Sequence, residues 1–191
     1  MRTKITAAFI LIFSCMCFLS SCAKNDPASP AASGSTAATG GIDDYLGDYD
    51  YESSLAALVY EPVQGEDEYG IQWRSVKDLD GILSSGSTVL LYFYNSLSTD
   101  RYGITAGLED IAQACWGEML VIMIDTLEHG DIEARYGIER LPEFIIIKDH
   151  KEAARFEGFN YEVWTMDNVA KWIADNGIKF DYSRLELPGE G

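Results

Sequence analysis

Residues 90–112 read LLYFYNSLSTDRYGITAGLEDIA, and the fold depends on how this stretch is parsed. Thr88–Tyr94 (TVLLYFY) is an unbroken apolar run of strand formers, as a strand covered on both faces requires. From Thr99 to Trp116 the period changes. Ile104, Leu108, Ile111 and Cys115 lie four, three and four residues apart, which places them on one face of a helix, and Gly117 ends it.

The same parsing extends in both directions. Met119–Ile124 (MLVIMI) is expected as a second buried strand, Gly130–Tyr136 as a short helix, and Glu143–Ile147 and Ala153–Glu157 as two further strands. Thr165 is expected to cap a last helix with Met166, Val169 and Ile173 facing inward. Upstream, regular structure is expected to begin near Ile71, with Ser75–Asp80 opening a short helix that ends by Gly86. Strand, helix, strand, helix, hairpin and helix make an α/β sandwich with a mixed sheet.

This order, with the residues at its joints, resembles the thioredoxin family over about residues 70–176. In that family an apolar strand runs into Phe-Trp-x-x-Trp-Cys-Gly-Pro-Cys-Lys at a helix start, and Leu90–Ala112 lies over that segment without a gap. Tyr136-Gly137-Ile138-Glu139-Arg140-Leu141-Pro142 resembles the Tyr-Gly-Ile/Val-x-x-x-Pro joint, where the family's proline is cis and faces the active site. Lys148-Asp149-His150 is similar to the hairpin turn that follows, and Gly158 falls on a glycine near the same surface. The resemblance implies a thioredoxin-like three-layer sandwich, its mixed central sheet flanked by helices.

The departures bear on chemistry. A thioredoxin uses a thiolate at a helix N-terminus and a second cysteine three residues on. The four matching positions here are Ser98, Thr99, Asp100 and Arg101, so neither sulfur is present. The family's buried acid falls on Tyr92, and its two tryptophans fall on Tyr94 and Leu97. Ser98 is expected to cap the helix, with Asp100 favoured near the positive end of the dipole. As a nucleophile Ser98 would need a base, and the resemblance puts neither His129 nor His150 beside it. Both histidines are expected to face water, and Trp73, Trp164 and Trp172 to serve packing. In the family the backbone before the cis proline pairs with an extended substrate chain, and that role would fall on Leu141 beside Pro142.

Outside the domain, residues 1–21 read as a signal segment. Arg2 and Lys4 precede an apolar run, Ile5–Leu19, of about 15 residues, too short for the ~20 that span a bilayer. It ends in Leu19-Ser20-Ser21-Cys22, which resembles a bacterial lipobox with Cys22 as the lipidated residue. This implies a bacterial extracytoplasmic protein held at a membrane through its N-terminal lipid. Residues 22–41 are then the lipidated cysteine and a small-residue linker spanning roughly 25 Å. Residues 42–69 are expected as an acidic, tyrosine-rich approach segment in which Ser54–Tyr60 forms a short helix. Residues 70–178 form the domain, and 179–191 a C-terminal tail.

The formal charge is −17, and loss of Arg2 and Lys4 with the signal would make it −19. Such a chain has no positive field to displace phosphate counterions, which excludes a nucleic-acid partner. Asp48, Asp50 and Glu52 begin like a calcium loop, but no glycine follows at the sixth position and no acid at the twelfth. No metal site and no cofactor are expected. The leading expectation is a thioredoxin-like module without dithiol chemistry that binds an envelope protein or peptide over Ser98–Arg101 and Leu141-Pro142. Two alternatives stand beside it: a monothiol oxidoreductase using Cys115, and a weak, acidic calcium binder. Cys115 continues an apolar helix face near a helix C-terminus, where the dipole disfavours a thiolate.

Overall fold

The computed structural model describes residues 41–63, 65, 68–98, 101–158 and 163–185, with the side chains of residues 101 and 102 excepted. Cys22, the signal segment and nearly all of the linker lie outside the described residues, as do Thr99 and Asp100.

The continuous apolar runs are the middle of a sheet. Val89–Tyr94 (β4) and Leu120–Asp125 (β5) are buried along their whole lengths and pair in parallel, with Tyr92 beside Met123. Alternate side chains supply two cores. Leu90, Tyr92 and Tyr94 face one layer, and Leu91 and Phe93 face the other. The first layer holds α2 (Arg101–Ala114) and α4 (Met166–Asp175), with Leu108, Ile111, Cys115, Val169 and Ile173 buried against the sheet. The second holds α1 (Leu79–Ser84) and α3 (Gly130–Tyr136), with Leu79, Ile82 and Ile132 inward. The result is a three-layer sandwich.

The remaining strands are β1 (Leu46–Tyr49), β2 (Leu55–Pro62), β3 (Tyr69–Val76), β6 (Glu143–Lys148) and β7 (Lys151–Arg155). The seven strands run in the order β1-β3-β2-β5-β4-β6-β7. Among the described residues only β4 and β5 are parallel and every other pair is antiparallel, so the sheet is mixed. Local chemistry sets several ends. Asp78 Oδ1 accepts the Gly81 N–H at 2.8 Å and opens α1. Gly137, at φ 59°, closes α3 in the left-handed region that glycine occupies without strain. Asn168 Oδ1 takes the Thr165 N–H at 2.8 Å where α4 begins.

Two expectations for the flanks are corrected. Within Ser54–Tyr60, expected as a helix, the residues from Leu55 onward belong to β2, hydrogen-bonded to β3 on one side and β5 on the other. Alanine and leucine favour helix locally. Here Ala56 and Leu58 fill one core while Ala57 and Val59 fill the other, and burial on both faces overrides a weak propensity. The acidic segment 42–69 therefore contributes strands to the domain's own sheet instead of leading up to it. Likewise the start of the expected tail docks on α2. The Asp181 N–H donates to the Ala114 carbonyl at 2.8 Å, the Arg184 guanidinium donates to the Trp116 carbonyl at 2.6 Å, and the Gln113 amide donates to the Arg184 carbonyl.

Candidate functional site

The end of β4 delivers Tyr94 to a turn, Asn95–Ser98, that precedes α2. The turn is held by its own polar groups. Asn95 Oδ1 accepts the Leu97 N–H at 2.8 Å, and the Ser98 N–H donates to the Asn95 carbonyl at 2.9 Å. Asp125, at the end of β5, supports it from behind. Its Oδ1 accepts the N–H groups of Ser96 at 3.2 Å and Leu127 at 3.1 Å.

Antiparallel pairing of β6 with β4 sets Phe144 beside Tyr92 and brings the residues before β6 to the same end of the sheet. The Leu141-Pro142 peptide bond is cis. Tyr92, Tyr94, Asn95, Ser98, Ile104, Leu141 and Pro142 together line one cleft of about 90 Å³. Ser98 and the proline loop are therefore brought together. Thr99, Asp100 and the Arg101 side chain lie outside the described residues. The described part of α2 is Arg101–Ala114, and Ser98 makes no side-chain hydrogen bond among the described residues; Thr99 and Asp100, between Ser98 and that helix, lie outside them.

Two large apolar side chains are exposed here, Leu97 in the turn and Leu141 on the cleft lining. Leu97 is 80% exposed and Leu141 36%. No hydrogen bond engages the Leu141 main chain among the described residues. One residue, Pro142, separates it from the paired strand β6. The floor is aromatic: Tyr92 stacks on Tyr94 at 5.4 Å and on Phe144 at 5.1 Å. Where the resemblance places an acid, the protein has a buried tyrosine ring.

Cys115 is remote from this cleft in character as well as in sequence. It has 0% exposure and belongs to the α2/α4 core. Burial, and secondarily the negative charge of Glu118, push its thiol up to about 12, against a smaller opposing effect of Arg184. A thiol so placed is almost wholly protonated at neutral pH. Trp73, Trp164 and Trp172 pack as expected, the last two against Phe156 at 5.7 and 5.5 Å.

Sequence reading missed two features. His129, expected to face water, is half-buried at the start of α3, with Nε2 3.0 Å from Ser54 Oγ. The contact joins residues 75 apart through the unexpected strand β2, so no local pattern announces it. Asp125 was detectable in principle, as the first polar residue after the apolar run 119–124. Among the described residues no group of three or more His, Cys, Asp or Glu is arranged to hold a metal ion. No helix among them is long and apolar enough to cross a membrane.

A cleft between the β4–α2 turn and a cis-proline loop, at one end of a helix-covered mixed sheet, defines a protein of thioredoxin-like class. The family model for thioredoxin matches residues 75–174, just over half of the chain, and the chain belongs to the thioredoxin family. It is 35% identical over 74 residues to the chloroplastic thioredoxin Y of Oryza sativa subsp. japonica, covering 39% of this chain and 44% of that one. With the chloroplastic thioredoxin Y1 of Arabidopsis thaliana it is 30% identical over 79 residues, covering 41% and 46%. The chain thus spans less than half the length of these curated relatives. Among solved structures it is similar to the germline-specific thioredoxin Deadhead of Drosophila melanogaster, with a TM-score of 0.43, 16% identity and coverage of 48% and 83%. It is also similar to mitochondrial thioredoxin 3 of Saccharomyces cerevisiae in its oxidized form, with a TM-score of 0.43, 17% identity and coverage of 49% and 83%.

Proposed function

We propose that this protein is a membrane-anchored, extracytoplasmic member of the thioredoxin family that binds an extended peptide or protein segment and performs no dithiol exchange. The observation that carries the reading is the Leu141 main chain, unengaged among the described residues, beside a tyrosine-lined cleft whose facing residue, Ser98, is an alcohol. An extended ligand chain adds main-chain hydrogen bonds at Leu141, as strand addition does elsewhere, and sets side chains against Leu97 and the Tyr94 ring. Disulfide exchange needs a thiolate to attack and a second thiol to resolve, and an alcohol supplies neither. The anchor rests on the Leu19–Cys22 motif after an apolar run. A bacterial envelope location follows from that same motif.

The thiol alternative has less support, because Cys115 is sealed in the core with its proton held up to about 12. The test is selection of decapeptides on the immobilised full chain, followed by affinity measurement against Leu141→Asp. The reading expects enriched extended apolar sequences whose affinity falls at least tenfold in the variant, since a charge would be desolvated at the rim. Equal binding to both proteins, with the variant's melting temperature unchanged, would refute the groove.

A further inference from the structure

A second, larger cavity of about 480 Å³ opens on the other side of Tyr94, at the same end of the sheet. Its walls include the rings of Tyr51 and Trp73, whose centroids lie 4.5 Å apart, and the acidic side chains of Glu52, Asp125 and Glu128. Ser54, on the same wall, is held by His129. We propose that this cavity accepts the guanidinium of an arginine side chain from a partner peptide or protein. The inference stands apart from the cleft at Leu141 and does not depend on it.

The decisive group is Asp125. It is only 4% exposed, and among the described residues no Lys, Arg or His pairs with it. Its Oδ1 takes two main-chain N–H groups, which fixes the plane of the carboxylate, while Oδ2 receives no donor among the described residues. Every fully buried side-chain oxygen and nitrogen among the described residues has a hydrogen-bond partner. Oδ2 lacks one among the described residues, so it keeps its access, and Asp125 lines this cavity. Oδ2 is the carboxylate oxygen left open to a donor that enters the cavity, and a charged donor there makes a charge-assisted hydrogen bond.

The remaining walls choose among donors. The exposed Tyr51 ring offers a face on which a planar guanidinium stacks and which attracts cations, and the buried Trp73 borders the same space. Glu52 and Glu128 at the exposed edge add acceptors for a group with five N–H donors, more than an ammonium presents. A formal charge of −17 draws cationic segments toward the protein in the first place. The alkyl stem of the arginine would lie along Met123 and Tyr94, which also line the space.

The test titrates the full chain with N-acetyl-arginine amide and follows the Trp73 indole N–H in nitrogen–proton correlation spectra. N-acetyl-citrulline amide, of the same shape but neutral, is the control. The expected result is a saturating shift of the Trp73 signal by the arginine probe and at least tenfold weaker binding of citrulline. Asp125→Asn should weaken the arginine probe at least tenfold, and Glu128→Gln several-fold. Asp175→Asn, a carboxylate on the far surface of α4, should change nothing. Asparagine keeps the oxygen that accepts from Ser96 and Leu127, and an unchanged melting temperature verifies the fold. If Asp125→Asn fails to fold, Glu128→Gln, which removes no hydrogen bond, carries the decision. Equal binding of arginine and citrulline probes, no shift with either, or equal binding of N-acetyl-lysine amide would overturn the assignment.

Discussion

Cys115 allows the most quantitative test of whether this chain retains thiol chemistry. Its thiol is pushed up to about 12 from an ordinary 9.0, and the side chain has no exposed surface. Three units lower the thiolate population about 1000-fold at neutral pH. A more basic thiolate is a better nucleophile, and a Brønsted slope near 0.4–0.5 restores about 15- to 30-fold of that. Chemistry alone therefore slows reaction with a disulfide reagent about 30- to 60-fold relative to an exposed cysteine. Burial slows it further, because the reagent must wait for the α2/α4 core to open. The assay follows labelling by an aromatic disulfide at pH 7.5, native and in guanidinium chloride, with Cys115→Ala subtracted so that Cys15, Cys17 and Cys22 do not contribute. The reasoning expects a native difference rate at least about 30-fold below that of glutathione, and prompt labelling of one further thiol on denaturation. A native rate within threefold of glutathione would refute it and revive the monothiol enzyme.

The same thiol predicts an alkaline stability loss. The folded state holds this proton more tightly than the unfolded chain does, so its contribution is complete below pH 9 and is lost as pH rises toward about 12. The difference amounts to about 4 kcal/mol at most, at 1.36 kcal/mol per unit. Urea midpoints between pH 8 and 11 should fall more steeply for the natural chain than for Cys115→Ala, and parallel slopes would contradict this. A packing prediction concerns Gly107 in α2. A Cβ there would lie 2.5 Å from Met166 Cγ and 2.9 Å from Met166 Cβ, where α2 meets α4. Gly107→Ala gains about 1 kcal/mol of helix propensity but pays an overpacking cost of about 1–3 kcal/mol. A lowered melting temperature is expected by calorimetry, and a rise would show that α4 yields freely.

How much of this was legible in the sequence follows from where the information lies. The strands β4 and β5 and the helices α2 and α4 declare themselves, because each is long enough to show its period and is buried in a simple pattern. The Ser98 and Pro142 pairing was legible only by resemblance, since 43 residues separate the two and pairing of β6 with β4 is what joins them. The first three strands were hidden for different reasons. β1 has four residues and a glycine, β2 is written in helix-forming alanine and leucine, and β3 mixes Gln72 and Arg74 with Ile71 and Trp73. Missing β2 also hid the Ser54–His129 contact and the wall of the Asp125 cavity. Both depend on β2 lying antiparallel to β5, a long-range fact that no short window contains.

The central claim is that a thioredoxin frame here works without sulfur at its cleft. It is tested most directly by turbidimetric insulin reduction with dithiothreitol as the electron source. The account predicts a rate for the full chain equal to the reagent blank, unchanged by Cys115→Ala. Catalysis above the blank, abolished by that substitution, would contradict it.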